Sequence, residues 1–361
     1  MPEPPYNTLY YVCRRQAAIA GVVVNDTWQH MQPKGEGRPI DTTSVDAALD
    51  AVAAYNGKPG RSLGVRLRVW AGIDAPQWAK AIGGSPIRIC DQNAVPATSA
   101  ARTAPAPTAC PAVAIRTVGR FWSNAYERAW RTFEKQLAQT YDADPRVNEV
   151  SLSSCSSLTS EPFVEPEDAF SKASLIVNGY SDAKYKACLM HAVQLDYVPF
   201  WHQTPVDFSF NPFREIQPSP PITDLPFTKA AIDACRAAAG SRCILLNETM
   251  GKFTPPPSPA PSQTPSLAAD YYAMWRYMKR RGGSITFQTA SPPNLLLAWQ
   301  TNFAGWNSAV WLGSGFGASS LELFAPERSG TPCHDAPMRL WVNGYTCFSK
   351  KVMASWSGRL H

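Results

Sequence analysis

Short apolar runs alternate with longer amphipathic stretches along most of this chain. In the short runs, apolar residues follow one another or alternate with polar residues, which is typical of β-strands. In the longer stretches, apolar residues recur at helical spacing, and several stretches begin at Ser, Thr or Asp and end at Gly, which is typical of helices. The predicted strands cover residues 8–13, 20–25, 64–70, 148–154, 206–210, 243–247, 284–288 and 319–324.

Predicted helices lie between these strands and complete an α/β pattern. A repeated alternation of strand and helix predicts a (β/α)8 TIM barrel. Two stretches rich in Pro, Ser and Ala, residues 95–112 and 254–266, each lie between a strand and a helix, so we interpret them as long loop insertions. The predicted helices cover residues 42–57, 123–142, 182–196, 228–240 and 266–283.

The end of the chain departs from the barrel pattern. The sequence MRLWVNGYTCF places an Asn-Gly turn between β-prone residues, which predicts a short hairpin. We therefore expect a catalytic barrel over residues 1–325 and a C-terminal extension, packed on the barrel, over residues 326–361.

Strand alternation predicts which side chains face the lumen of the barrel. The outward face must be apolar because helices cover it, so Glu322 between Leu321 and Leu323 points inward. A lumen that holds acids and bases is compatible with a catalytic site, and equally with an ion pair that only organises the barrel. The same alternation directs Arg66, Arg68, Ser151, Ser153, Thr286 and Gln288 inward.

Composition and charge exclude several classes of function. The chain has 361 residues, 45% hydrophobic and 17% charged, with a formal net charge of +6 that is spread along its length. The absence of a basic stripe interleaved with aromatic residues argues against nucleic-acid binding. No apolar run is long enough to span a membrane. The sequence shows no Cys/His metal spacing and no nucleotide loop, so we expect neither a metal nor a cofactor.

Cysteine usage favours an oxidising compartment. Nine cysteines are present, and two pairs bracket segments that a disulfide would close, Cys90 with Cys110 and Cys333 with Cys347. The odd count leaves at least one free thiol, for which Cys155 and Cys188 are our candidates. The first residues lack the features of a signal peptide, but the cysteines lead us to expect a secreted or periplasmic protein.

Acids, amides and tryptophans gather at the predicted carboxyl ends of the strands, where barrel enzymes carry their catalytic groups. Aromatic faces stack on sugar rings, amides bind hydroxyls, and two carboxylates can hydrolyse a glycosidic bond. These residue types therefore predict a carbohydrate site. The candidate acids are Glu161, Glu248 and Glu322, and the candidate substrate-binding residues are Trp28, Arg68, Trp70, Trp78, Asn247 and Gln288.

The early part of the chain resembles a known family. Residues 21–79, GVVVNDTWQHMQPKGEGRPIDTTSVDAALDAVAAYNGKPGRSLGVRLRVWAGIDAPQWA, are similar to the clan A barrel glycosidases, most of all glycoside hydrolase families 42 and 5. This resemblance implies a barrel that hydrolyses glycosidic bonds, with its acid/base after the fourth strand, where Glu161 follows VNEVSLSS. The matching positions are Trp28, Pro33, Asp46, Asp50, Pro76 and Trp78.

The chain also departs from the family pattern. No Asn precedes Glu161 directly, and Gln288 stands where clan members place a nucleophilic Glu on strand 7. An amide cannot act as the nucleophile, so either the second carboxylate comes from elsewhere, with Glu322 the first candidate and Glu248 the next, or hydrolysis is absent. A separation of about 5 Å from Glu161 would imply retention, and about 6.5 to 9.5 Å would imply inversion.

Our leading hypothesis is a monomeric hydrolase of a polysaccharide or oligosaccharide. Glu161 would protonate the leaving oxygen, and Glu322, kept ionised by Arg68, would act as nucleophile or base. The rival hypothesis is a carbohydrate-binding barrel without catalysis, which the missing strand 7 Glu favours. An aldolase or lyase is a third alternative, against which the strands carry no Schiff-base Lys.

Overall fold

A computed structural model describes residues 21–59, 62–91, 94, 110–251, 267–289 and 312–322. Within them, seven parallel strands form one sheet. In sheet order these strands are β1 Gly21–Thr27, β2 Gly64–Trp70, β5 Glu149–Leu152, β6 Val206–Ser209, β9 Cys243–Met250, β10 Ile285–Thr289 and β11 Ser320–Glu322. Two antiparallel hairpins lie in the connections: β3 Ile87–Cys90 with β4 Ile115–Val118, and β7 Phe213–Glu215 with β8 Ile222–Asp224.

Helices follow most of these strands, as the sequence predicts. The longest, α4, buries Tyr126, Trp130, Phe133 and Leu137, and begins where the Ser123 hydroxyl accepts from the Tyr126 N–H. The helices are α1 Trp28–Met31, α2 Thr43–Asn56, α3 Gln77–Lys80, α4 Asn124–Tyr141, α5 Ala169–Val177, α6 Asp182–His191, α7 Leu225–Ala239 and α8 Leu267–Arg281. None of the helices in these ranges is long and apolar enough to cross a membrane.

The sheet is curled, so that its two ends approach each other. Arg66 in β2 donates to Glu322 in β11 at 2.5 Å, although four other strands lie between β2 and β11 in the sheet order. Seven of the eight predicted strands are confirmed, and all seven belong to this one sheet. The predicted strand at residues 8–13, which would close the barrel, lies outside the described residues.

Other predictions also fall outside the described part of the chain. These are the C-terminal extension at residues 326–361 with its hairpin, the loop at 254–266, and the pair Cys333 and Cys347. The hairpins β3–β4 and β7–β8 were not predicted, because strands of three or four residues carry too little periodicity to be recognised.

Three disulfides link the described residues. Cys90 and Cys110 pair as predicted, with their Cα atoms 5.6 Å apart. The prediction that Cys155 or Cys188 is a free thiol is wrong, because these two cysteines are bonded to each other. The fold brings the loop after β5, which carries Cys155, next to helix α6, which carries Cys188, and this proximity allows the bond. A third bond joins Cys235 in α7 to Cys243 in β9.

Candidate functional site

Arginine side chains of β2 organise the inner face of the curled sheet. Arg66 lies beside Glu149 of β5 in the parallel register and contacts its carboxylate at 2.7 Å. The same guanidinium contacts Asp207 of β6 at 3.0 Å and Glu322 of β11 at 2.5 Å. The predicted inward direction of Arg66 and Glu322 is therefore confirmed, and Ser151 also faces inward, since its hydroxyl donates to Asp207 at 2.8 Å.

Both carboxylate oxygens of Glu322 accept charged hydrogen bonds. Arg68 donates to Oε1 at 3.1 Å and to Oε2 at 2.8 Å, and the Gln288 amide donates to Oε1 at 2.5 Å. Burial acts to raise the pKa of Glu322, but the charges of Arg68 and Arg66 and these hydrogen bonds prevail and lower it to about 2. Glu322 is thus ionised at neutral pH, and both of its carboxylate oxygens are hydrogen-bonded.

Glu248 lies next to this ion pair, near the carboxyl end of β9. Its Oε1 is 3.7 Å from Arg68 Nη2, the same nitrogen that binds Glu322. Burial and the negative charge of Glu161 raise the pKa of Glu248 well above its ordinary value, against the opposing charge of Arg68. Glu248 therefore carries a proton under conditions in which an exposed glutamate is ionised.

Glu161 meets Glu248 across the mouth of the sheet. The two carboxyl groups share a hydrogen bond, and Glu161 Oε2 also accepts from the Asn211 amide at 3.1 Å. The structure thus brings together the three acids singled out in the sequence: Glu161 contacts Glu248, and Arg68 links Glu248 to Glu322. A carboxyl beside another negative charge is harder to ionise, so the charge of Glu161 favours the protonated form of Glu248.

The loop that carries Glu161 is anchored on both sides of that residue. Cys155 and Phe163 have φ values of 58° and 71°, in the left-handed region that costs a residue with a Cβ about 1 kcal/mol or more. The disulfide to Cys188 and the burial of the Phe163 ring offset this cost. That ring packs 5.6 Å from the rings of both Phe208 and Phe210.

Two of the predicted sugar-stacking tryptophans belong to the core. Trp28 is 0% exposed, packs edge-on against Trp130 at 5.0 Å, and donates its N–H to Gln32. Trp78 packs edge-on against Trp28 at 5.3 Å. A fully buried ring cannot stack on a sugar, so the structure argues against the assignment of Trp28, whereas Trp78 is only partly buried against the core and stays a candidate. Trp70 remains partly exposed at the end of β2, with its N–H on Asn25.

The amides predicted to bind substrate hydroxyls form hydrogen bonds with other groups of the protein. Asn247 is 0% exposed and its amide group bonds Phe210, Asn211 and Trp275. Gln288 and Arg68 are buried against Glu322. These side chains position the acids, and the structure leaves Asn247 no free group for a substrate hydroxyl.

Sequence reasoning missed four contributors to the site: Glu149, Asp207, Asn211 and Tyr271. Asp207 could have been identified from the sequence, because apolar and polar residues alternate in VDFSF. Val206 and Phe208 face outward, so Asp207 between them faces inward. Burial and the charge of Glu149 raise the pKa of Asp207 to about 6, against the charge of Arg66. Asn211 and Tyr271 lie in a loop and a helix, where no strand alternation could have identified them.

Arg66, Arg68, Glu149, Glu161, Asp207, Glu248 and Glu322 form what we call the inner cluster. Its two guanidinium groups face five carboxyls, so the inner cluster has an excess of negative charge even with Glu248 and Asp207 protonated. Such a surface favours a positively charged species near Glu161 and Glu248. The described ranges contain no group of His, Cys, Asp and Glu arranged to hold a metal ion.

Comparison with known structures identifies the fold. The chain is similar to the catalytic domain of a β-amylase from Paenibacillus polymyxa, with a TM-score of 0.55 and 10% sequence identity over 93% of this chain and 91% of that one. The two share an α/β fold with a parallel sheet and helices, which agrees with the predicted resemblance at the level of the fold.

Two further structures show weaker similarity. Endo-glycoceramidase II from Rhodococcus sp., in an iminocyclitol complex, has a TM-score of 0.43 and 13% identity over 84% of this chain and 64% of that one. A structure described as a glycoside hydrolase has a TM-score of 0.45 and 10% identity over 90% and 83% of the two chains. No protein-family model and no curated protein sequence matches the chain.

Proposed function

We propose that this protein is a glycoside hydrolase that cleaves O-glycosidic bonds in a polysaccharide or oligosaccharide, with Glu161 and Glu248 as its working carboxyl pair. The observation that carries the proposal is the contact between these two carboxyls at the carboxyl ends of the strands. The raised pKa of Glu248 favours its protonated form, and Glu161 accepts a hydrogen bond from Asn211. Glycoside hydrolysis requires such a pair, one carboxyl as the acid and the other as nucleophile or base.

In this proposal Glu248 is the general acid and protonates the leaving oxygen. Its raised pKa keeps the proton available above the pH at which an ordinary glutamate loses it. Glu161, which accepts the Asn211 N–H, is the carboxylate that acts as nucleophile or as base toward a water molecule. These roles reverse the sequence-based expectation for Glu161, because burial places the proton on its partner.

Glu322 has a supporting role in the proposal. A nucleophile would have to give up its bonds to Arg66, Arg68 and Gln288, each of which stabilises the carboxylate in place. Glu322 instead neutralises part of the arginine charge beside Glu248. The inner cluster thereby keeps the negative excess that would stabilise an oxocarbenium-like transition state.

The direct contact of the two carboxyls also constrains how a sugar binds. Catalytic pairs stand about 5 Å or more apart, so a glycosidic bond must enter between Glu161 and Glu248 and separate them. In this proposal the separation comes from rotation of the Glu161 side chain on its anchored loop, while Glu248 extends from strand β9. The anomeric form of the first product, measured by NMR, would then distinguish retention from inversion.

The substrate and setting of this activity are part of the same proposal. The shared fold suggests that the substrates of β-amylases should be included in a broad panel of polysaccharides and oligosaccharides. Three disulfides among the described residues are compatible with a protein that works outside the reducing cytoplasm. We propose a secreted or periplasmic monomer.

Separate Glu161→Gln and Glu248→Gln variants test the catalytic pair. We expect each to lower kcat/KM by about 100-fold or more, since each removes a proton-transfer or nucleophilic group. Glu248→Gln should recover part of the loss on aryl glycosides whose leaving group needs no protonation, whereas Glu161→Gln should not. Rates of reducing-sugar and aryl release measure both effects.

The matched control is Glu127→Gln on α4, a buried glutamate outside the inner cluster that bonds His191 at 2.8 Å. Its rate should stay near that of the unaltered protein. If Glu161→Gln and Glu248→Gln both release sugar at the unaltered rate, the assignment of the pair fails. If the unaltered protein binds glycans across the panel without turnover, the alternative of a non-catalytic binding barrel is favoured.

A further inference from the structure

A cavity of about 330 Å³ lies between the amino-terminal ends of helices α4 and α6. Its wall carries two cations, Arg120 and Lys184, and contains no Asp or Glu. We call this cavity, which Arg120, Trp122, Asn124, Asn178 and Lys184 line, the cationic pocket. Its charge is opposite to the negative excess of the inner cluster, so the two regions favour different parts of a ligand.

Neutral acceptors hold both cations of the cationic pocket. The Arg120 guanidinium donates to Asn178 Oδ1 at 2.7 Å and to the Ser85 carbonyl at 3.1 Å. Lys184 Nζ donates to the Gly179 carbonyl at 2.7 Å. In the part of the chain that the structure describes, neither cation forms an ion pair with an acid. The acceptors therefore fix the positions of the two charges without cancelling them, and they leave N–H groups of Arg120 available.

The acids in the first turns of the two helices are bound to other groups. Asp182 of α6 is buried and accepts hydrogen bonds from the Tyr180 hydroxyl and from two backbone N–H groups of the chain after β7. Glu127 of α4 is buried and bonds His191 at 2.8 Å. Neither acid lines the cationic pocket, so an anion in it would face Arg120 and Lys184 directly.

The cationic pocket also has N–H donors without acceptors. The Trp122 side chain is 5% exposed, and its indole N–H has no hydrogen-bond partner. A buried donor without a partner costs free energy, which an acceptor bound in the pocket would offset. Helix α4 begins at Asn124, and the N–H groups of Asn124 and Ala125 have no acceptor within the helix. The positive end of the α4 dipole favours an anion at the same place.

The cationic pocket lies on the same side of the sheet as Glu161. Helix α4 leads into β5 and α6 leads toward β6, so both helices begin at the side where the strands end. The pocket is also connected to the loop of Glu161. Phe121, next to Trp122, packs 5.5 Å from the Tyr185 ring, and the Tyr185 hydroxyl accepts from the Phe163 N–H at 2.9 Å. A sugar chain bound at the mouth of the sheet therefore has the pocket on its side.

We propose that the cationic pocket binds an oxyanion of the substrate, a carboxylate or a sulfate ester, and that the substrate is therefore an acidic polysaccharide. This inference rests on the proposed function and names its substrate class. The negative excess of the inner cluster disfavours an oxyanion at the cleaved bond, so the charged group binds away from Glu161 and Glu248, in the pocket. The free N–H groups of Arg120 suit either oxyanion, because a guanidinium can bind both oxygens of such a group at once.

Arg120→Gln and Lys184→Gln test the cationic pocket, since each removes one of its charges. The probes are an oligogalacturonate, which carries carboxylates, a carrageenan oligosaccharide, which carries sulfate esters, and an uncharged maltooligosaccharide. We expect the unaltered protein to bind one charged probe more tightly than the uncharged one in isothermal titration calorimetry. Arg120→Gln should weaken that binding about tenfold, as for the loss of a hydrogen bond to a charged group. The charged probe that binds identifies the oxyanion.

Trp122→Phe tests the indole donor, because it keeps a ring against Phe121 and Tyr180 and removes the N–H. It should weaken binding of the charged probe and leave that of the uncharged probe unchanged. Salt provides a further readout, since it screens charges near the surface. The affinity of the unaltered protein for the charged probe should fall as salt rises, and this dependence should be weaker in Arg120→Gln.

The matched control is Arg128→Gln, one turn further along α4, which removes an equal charge from an exposed side chain outside the cationic pocket. It should bind the charged probe as the unaltered protein does. Equal affinity of the unaltered protein for charged and uncharged probes overturns the proposal, and so does an equal loss in Arg120→Gln and Arg128→Gln. Lys184→Gln, at an exposed position, provides the test if Arg120→Gln does not fold.

These binding measurements need no turnover. They therefore separate failure of the cationic pocket from failure of the proposed function. In the first case, sugars are hydrolysed but the charged probes gain nothing from Arg120. In the second case, no glycan of the panel is hydrolysed, while binding of the charged probe still depends on Arg120.

Discussion

Three glutamates of the inner cluster share a side chain and differ in what surrounds them. Glu322 lies between two guanidinium groups, which lower its pKa to about 2 despite its burial. Glu248 is equally buried but touches another carboxyl, and its pKa is raised. Glu161 is partly exposed on a loop and accepts an amide N–H. At this scale, the role of a carboxyl follows from its neighbours.

Glu322→Gln should therefore act mainly on stability. It leaves Arg68 with the carboxyl of Glu248, 3.7 Å away, and the charge of Asp207 to offset its burial. Removing one partner of a buried ion pair costs about 3 to 5 kcal/mol, so we expect a decrease of this size in the free energy of unfolding, measured with urea. The control, Glu167→Gln, breaks an exposed pair with Arg214 and should cost about 1 kcal/mol or less. Equal stability of the two variants would contradict the interpretation.

At the scale of elements, the loop that carries Glu161 depends on the loop after β2. The Ile73 N–H donates to the Ser157 carbonyl at 2.8 Å, and this approach is possible because Gly72, with φ of +57°, has no Cβ. A Cβ there would collide with the carbonyl groups of Ser156 and Ser157. The loop after β2 and the loop after β5, which carries Glu161, are thus held together by this contact.

Gly72→Ala should separate these two loops. Gly240 provides a matched control, because it has the same φ of +57° and no atom within 4 Å of an added Cβ. Gly240→Ala, at φ 57° and ψ −127°, should cost only its backbone strain of about 1 to 3 kcal/mol, whereas Gly72→Ala adds the collision. We expect Gly72→Ala to unfold at lower urea concentration than Gly240→Ala and to lose hydrolytic rate as Glu161 shifts. Equal midpoints with full activity would show that the loops do not depend on this contact.

At the scale of the whole molecule, buried carboxyls make stability depend on pH. Burial raises the pKa of Glu134 to about 8 and that of Asp196 to about 7, and Asp207 is raised to about 6. A carboxyl with a raised folded-state pKa stabilises the fold most at low pH and loses this contribution as pH rises through that value. Glu322 has the opposite sign, and its contribution is lost as pH falls from about 4.5 toward 2.

The thermal midpoint should consequently be highest near the ordinary pKa of a carboxyl, at about pH 4 to 4.5, and should decline on both sides. Melting curves followed by circular dichroism from pH 3 to about 9 would measure this. Glu134→Gln, which keeps an acceptor for the Trp201 N–H, should flatten the alkaline decline and leave the acidic one unchanged. A midpoint that rises steadily up to pH 8 would contradict the assigned directions.

Much of the fold was predictable because it depends on neighbours along the chain. Period-two alternation identified the parallel strands and turned Arg66, Arg68 and Glu322 inward, as the structure confirms. Applied to VDFSF, it would also have found Asp207. Composition could not separate a core tryptophan from a stacking one, so Trp28 was misassigned, since burial depends on which helices pack over the ring.

The sequence alone therefore determined the strands, the polar inner face and the three candidate acids. Only the tertiary structure decided that Glu161 contacts Glu248, that Cys155 bonds Cys188, and that Asn247 serves the protein and not a substrate. The physical reason is the distance along the chain over which each effect acts. Side-chain direction along a strand is a local property, whereas desolvation, charge interactions and hydrogen-bond direction act through space between residues that lie far apart in the chain.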